Sequence, residues 1–158
     1  MEIREKPRLD AIWIKRGKGA PMDPVDEARL VEGRGLENNA NQGGKRQVTI
    51  ISAESWRDVE ADLGFQVDPR ARRANLMVRG VDLRESGGKV LTIGDCRILI
   101  HGFTRPCELM EETQEGLQEA LRPDWRGGSY GEVLEGGVIR SGDFVHWDDG
   151  SEPGAQVR

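Results

Sequence analysis

Short apolar runs recur along this chain at close intervals, each bounded by turn-forming residues, and that spacing predicts a mainly β protein. The runs are Leu9 to Ile14, Ala28 to Val31, Val48 to Ile51, Leu76 to Val78, Val90 to Ile93, Arg97 to Ile100, Val133 to Leu134, Val138 to Ile139 and Phe144 to Trp147. Gly94-Asp95 separates two of them by the length of a tight hairpin turn, while Gly136-Gly137 and Ser141-Gly142-Asp143 supply positive-φ positions between later strands. The pattern predicts antiparallel neighbours arranged as a barrel or sandwich.

Two stretches change to helical period. Ala53 to Leu63 follows a Ser52 N-cap, carries Glu54 in its first turn, places Trp56, Val59 and Leu63 on one stripe and stops at Gly64. The second begins near Pro106, breaks at Gly116, resumes through Leu117 and Leu121 and ends before Pro123, which sets Cys107 in an opening turn. Long polar connections, Gly33 to Gln47, Asp68 to Asn75 and Arg122 to Gly131, join the elements and are rich in Gly, Asn and Arg. Loops of this kind on a rigid scaffold are where sites are carried.

With 158 residues, 36% hydrophobic and 32% charged, the chain is expected to form one domain, residues 9–147, between tails 1–8 and 148–158. The N-terminus has no apolar signal segment and no run approaches the roughly 20 apolar residues of a membrane span, so no membrane association and a cytoplasmic location are the expectation. A net charge of −5 argues against a nucleic-acid partner. Positive residues nevertheless cluster at Lys45-Arg46, at Arg70, Arg72 and Arg73, and around Arg105 and Arg126, which leaves local anion binding open. Cys96 and Cys107 are expected as free thiols, and with only His101 and His146 and no CxxC or HExxH motif, a structural zinc site has little support.

Among the candidate residues, Cys107 follows Arg105-Pro106 at a helix start, where Pro suits the first turn and a cation favours thiolate. Local context leaves two readings of it, a reactive thiol or a small apolar side chain. Cys96 lies in a strand pattern and reads as core. The Gly33 to Gln47 segment reads as a ligand-wrapping loop, with Lys45 and Arg46 as anion holders, or as a plain polar loop. Of Arg70, Arg72 and Arg73, two are expected to be solvated and one to reach a phosphate or carboxylate. Arg126-Gly127-Gly128 suits a backbone anion nest, and both histidines read as plain polar side chains without a catalytic partner.

Taken in order, five segments resemble the MOSC domain, the module named for the C-terminal part of molybdenum-cofactor sulfurases. They are Gly35-Leu36-Glu37, Arg46 to Ser52, Arg73-Ala74-Asn75-Leu76 with Gly80 to Leu83, Arg105-Pro106-Cys107, and Arg126-Gly127-Gly128 leading to Val133-Leu134. The resemblance implies a closed or partly closed antiparallel or mixed β-barrel, similar to that of pyruvate kinase, with two or three short peripheral helices. It implies that Cys107 carries sulfur or ligates the molybdenum of a pterin cofactor, molybdopterin. It also implies that Arg73, Asn75, Arg126 and Gly127, with Glu37, Asn39, Asn41, Lys45 and Arg46, line a pocket for an anionic pterin or other small-molecule ligand. Where many relatives carry Gly-Asp and then His, this chain has Asn38-Asn39 and Asn41, so hydrogen bonding is kept and proton transfer is lost.

Pyridoxal phosphate binding belongs, by the same resemblance, to the desulfurase portion of the large sulfurases. The 158 residues are expected to hold neither that portion nor the N-terminal barrel of the cofactor-binding reductases. Sulfur is then expected from a partner cysteine desulfurase. Three functions follow: a sulfur carrier or sulfurtransferase using Cys107, a molybdenum-cofactor-dependent reductase of N-hydroxylated compounds, or a non-catalytic module for an anionic cofactor or partner protein.

Overall fold

A computed structural model describes residues 6–148. Its first half runs β1 (Arg8–Lys15), β2 (Met22–Val25), β3 (Glu27–Val31), β4 (Gly35–Leu36), β5 (Val48–Ser52), α1 (Ala53–Leu63) and, after a 3-10 turn at Pro69–Arg72, β6 (Leu76–Arg79). The second half runs β7 (Val90–Ile93), β8 (Cys96–Phe103), α2 (Glu108–Thr113), α3 (Leu117–Ala120), a 3-10 turn at Pro123–Trp125, β9 (Ser129–Glu135), β10 (Gly137–Arg140) and β11 (Val145–Asp148). Each apolar run of the sequence coincides with or overlaps one of these strands.

Eight strands form one sheet in the order β11-β7-β8-β9-β5-β6-β1-β2, and β10-β3-β4 form a second. The mainly β class agrees with the apolar spacing, but no sheet closes on itself. The start of β1 returns toward β11 through an isolated bridge, Arg8 to Phe144, and backbone bonds from Val145 N–H to Pro7 O at 3.0 Å, Leu9 N–H to Asp143 O at 2.8 Å and Gly142 N–H to Leu9 O at 2.7 Å, without forming a paired ladder between the two strands. One further expectation is corrected: β5 and β6 run parallel, because α1 carries the chain back across the sheet instead of a hairpin reversing it. Two strands lie outside the apolar pattern. β2 contains Pro24, whose missing N–H is tolerated because β2 is an edge strand. β4 is two residues long, too short to show a period.

Alternation along the strands builds two cores. In β8, Cys96, Ile98 and Ile100 point inward, fully buried, and join Leu9, Ile12, Ile50, Leu76, Leu91 and Ile93. Leu30, Leu36 and Ile139 of the smaller sheet close the same core. Ile51, next to Ile50 on β5, faces the other way and packs with Trp56 and Val59 of α1 and with Met110, Leu117 and Leu121 of the later helical segment. The helical pattern holds in detail. Ser52 Oγ accepts from Ser55 N–H at 3.0 Å and Gly64 closes α1 at φ 87°. The second segment breaks at Gly116, whose N–H donates to the Glu111 carboxylate at 2.8 Å.

No helix among the described residues is long and apolar enough to cross a membrane. The expected C-terminal tail lies, from residue 149 on, outside the described residues. Ile98 has no solvent exposure and lies in the main core. Ile98→Ala should therefore lower the unfolding free energy by about 2–5 kcal/mol in urea titration, with the denaturant slope unchanged.

Candidate functional site

Two buried amides frame a cleft where β1, β5 and β6 meet the Gly33–Gln47 loop. Asn75 Oδ1 accepts from Thr49 N–H at 3.2 Å and Thr49 Oγ1 at 3.3 Å, while its Nδ2 donates to Trp13 O at 3.2 Å and to Asn39 Oδ1 at 3.1 Å. Asn39 Oδ1 also accepts from Lys15 N–H at 2.8 Å. Only a group that both donates and accepts can make the Asn75 set, so an amide is required there and a carboxylate would not serve. Gln47, also buried, joins the far end of the loop to β9: its Oε1 accepts from Val133 N–H at 3.0 Å and its Nε2 donates to Gly44 O at 2.8 Å. The loop passes so close to Gln47 that a side chain at Gly35, at φ 122°, would sit 2.7 Å from Gln47 O.

The cleft has a volume of about 110 Å³. Its cationic lining is Lys15, Arg46, Arg72 and Arg73, and its neutral polar lining includes Asn39, Asn41, Gln47, Thr49, Asn75 and Thr104. No carboxylate lines it, and none of the four cations has a carboxylate partner among the described residues. Arg72 is 5% exposed. Its Nε donates to Gly127 O at 2.8 Å, its Nη2 to Thr104 O at 3.2 Å and its Nη1 to Met110 Sδ at 3.4 Å. Burial pushes its pKa down to about 10, the charge of nearby Cys107 works in the opposite direction, and Arg46 adds to the lowering. Burial, and then the charge of Arg73, also lower the Lys15 amine. Arg73 is itself held in the left-handed region at φ 63°, with Nη2 donating to Ala20 O at 2.6 Å.

Thr104 also lines the cleft, and its buried hydroxyl has no hydrogen-bond partner among the described residues. Leaving such a group unpaired costs about 1–3 kcal/mol. Thr104 opens the loop that leads to Cys107. That thiol is exposed, sits at the N-cap of α2 and makes no capping hydrogen bond. Cys107 does not itself line the cleft, but Arg72 grips its segment on both sides, at Thr104 O and Met110 Sδ. Cys96 is core, as its strand pattern implies, and burial raises its thiol further.

The remaining residues singled out in the sequence divide. Arg46 lines the cleft, with its guanidinium 5.1 Å from the Tyr130 ring centroid. Asn41 lines it beside Asn39. Glu37 and Lys45 are exposed outside the lining. Arg126 also lies outside it, donating from Nη1 to Asp62 at 2.5 Å and to Ala120 O at 3.1 Å. Gly127 contributes its carbonyl to Arg72, and no anion nest is needed to explain its backbone. The expectation that two arginines of the Arg70–Arg73 run are solvated is corrected. Only Arg70 is, paired with Asp68 at 2.7 Å, because the 3-10 turn aims Arg72 inward and Arg73 into the cleft. Sequence reasoning did not single out Lys15, Gln47, Arg72 as the buried member, or Thr104. Thr104 had one usable signal, its place directly before Arg105-Pro106-Cys107. His101 does have a partner, Glu132 Oε1 at 2.8 Å from Nε2, but neither lines the cleft; His146 is exposed.

The mainly β domain thus sets a carboxylate-free cationic cleft and an exposed thiol on neighbouring segments. The MOSC domain model matches residues 37–146, and the chain belongs to the MOSC family. MOSC domains are associated with the molybdenum cofactor and sulfurase-type function. The fold is similar to YuaD from Bacillus subtilis, with 20% identity over 92% of this chain and 97% of that one and a TM-score of 0.75. It is also similar to YiiM from Geobacillus stearothermophilus, at 16% identity, 93% and 77% coverage and TM-score 0.72. YiiM from Escherichia coli follows at 17% identity, 91% and 70% coverage and TM-score 0.70. No curated protein matches the chain. None of these comparisons supports pyridoxal phosphate binding. Among the described residues no three His, Cys, Asp or Glu side chains cluster to hold a metal.

Two outcomes follow. Iodoacetamide should modify Cys107 in the native protein and Cys96 only after unfolding, as read by peptide mass spectrometry; equal labelling of both in the folded state would contradict the burial difference. Asn75→Asp removes the donors to Trp13 and Asn39, and should cost about 1–3 kcal/mol in thermal or urea unfolding.

Proposed function

We propose that this MOSC protein is a sulfur carrier in which Cys107 takes a sulfane sulfur and holds it beside an anion-binding cleft. The observation that carries this reading is the pairing of an exposed thiol with a cleft of four cations that have no carboxylate partner among the described residues, through one segment, Thr104 to Met110, held at both ends by Arg72. A persulfide has to be reached by a donor protein, and an exposed Cys107 meets that requirement. In the proposed step the Cys107 thiolate attacks the outer sulfur of a persulfide on a cysteine desulfurase. One S–S bond forms, the S–S bond of the donor breaks, and the desulfurase thiolate leaves, so no outside oxidant or reductant is needed.

The cleft also suits the anionic end of molybdopterin. Arg72, Arg73 and Lys15 would meet its phosphate, and the unpartnered Thr104 hydroxyl offers it a donor. Bound there, the cofactor would supply a molybdenum redox centre. Asn39 and Asn41 give hydrogen bonds without titrating, so this chain's own part is to bind and orient, with Cys107 as its one group for covalent chemistry at the site.

Incubation with a cysteine desulfurase and free cysteine should add one sulfur atom to Cys107, seen by intact and peptide mass spectrometry. Cys107→Ser should fold and remain unlabelled, whereas Cys96→Ala should label as the parent does. An unlabelled Cys107 alongside a labelled control carrier would sink the proposal.

A further inference from the structure

The cationic cleft adjoins a second chamber that the sulfur-carrier reading does not use. This outer chamber has a volume of about 450 Å³ and is lined by Lys15, Lys18, Asn41 and Arg46, among others, again without a carboxylate. Lys15, Asn41 and Arg46 line both chambers, so two positive side chains face each at once. The wall between them is built, not loose. Ala40 N–H donates to Lys15 O at 2.6 Å, and Gln42 Nε2 donates to Leu36 O at 2.7 Å and to Asn39 O at 2.8 Å.

The sizes differ in a useful way. At about 110 Å³ the inner chamber admits one compact anion and lies below the roughly 300–1,000 Å³ usual for an organic ligand; the outer chamber falls inside that range. The buried, unpartnered Thr104 hydroxyl and the buried Arg72, whose guanidinium has more donors than its three acceptors use, both belong to the inner chamber. A terminal anion therefore goes inward. Because Lys15, Asn41 and Arg46 border both spaces, one ligand carrying two linked anions can be held by the same side chains from both, and a phosphoanhydride is a compact ligand of that kind.

We infer that the site takes an organic phosphoanhydride such as a nucleoside diphosphate, its terminal phosphate in the inner chamber, and its next phosphate with the organic body in the outer chamber against Lys18. This rests on the cleft being the anion site of the proposed function, and deepens it by naming the ligand class.

Calorimetric titration of the full chain with orthophosphate, pyrophosphate and ADP tests it. Pyrophosphate and ADP should bind at least about tenfold more tightly than orthophosphate, because the second anion engages intramolecularly. Lys18→Ala should weaken pyrophosphate and ADP about two- to fivefold and leave orthophosphate unchanged. Lys45→Ala, a nearby exposed cation outside both chambers, should change none of the three. Arg73→Met should weaken all three. Equal affinity for orthophosphate and pyrophosphate overturns the inference while leaving the anion cleft standing, and so does an equal loss in Lys18→Ala and Lys45→Ala. No binding of orthophosphate at all overturns the cleft as an anion site, and the inference with it, but not sulfur transfer to Cys107, which mass spectrometry reads separately.

Discussion

Everything at this site depends on a guanidinium buried without a counter-charge among the described residues. Arg72 has left water and found two carbonyl oxygens and a thioether in place of a carboxylate. Neutral acceptors offset only part of the cost of desolvating a charge, which is why burial depresses its proton affinity. The same arrangement does structural work, since its acceptors come from Gly127 ahead of β9 and from both sides of the Cys107 loop. A carboxylate beside Arg72 would have cancelled that charge. The protein has kept a positive field in place by satisfying the hydrogen bonds without cancelling the charge.

The amides of Asn39 and Asn75 complement that charge by being neutral. Asn75 links β1, β5 and the Asn-rich loop through four hydrogen bonds, and Asn39 passes the connection to Lys15. In this chain the loop is consequently tied to β1 and to its own backbone by hydrogen bonds, although it is rich in glycine and asparagine. The cations are held near one another: burial, and then the charge of Arg73, lower the Lys15 amine.

Much of the fold was legible because one face of each strand is buried and one helix carries clear caps. Ile98 and Ile100 alternate with Arg97 and Leu99, and Ser52 and Gly64 bracket α1 as their chemistry requires. Closure of the sheet was not legible, since it depends on whether the start of β1 ladders with β11, which neither strand's own pattern expresses. The parallel β5–β6 pair escaped for a related reason: a helix between two strands was visible, but the strand beside which it would return was not. At the site, Cys107, Asn75, Arg73 and Arg46 stood out by residue type and family motif. Arg72 did not, because three arginines in four residues look alike until a 3-10 turn sends Arg70 to water and Arg72 inward. Thr104 is an ordinary residue whose interest lies only in what its hydroxyl lacks.

The order of the strands bears on when the protein becomes competent during synthesis. β1 pairs with β6, β5 pairs with β9, and Asn75 reaches back to Trp13 across 62 positions. Arg72 likewise waits for Gly127, 55 residues further on. Contacts this distant close large loops and form late compared with hairpins. A ribosome-bound chain that has delivered Cys107 but not β9 therefore shows its thiol before Arg72 has gained its last backbone acceptor. The order of emergence leaves an interval in which the Cys107 thiol is accessible and Arg72 still lacks one of its acceptors, an interval that closes as β9 docks between β8 and β5.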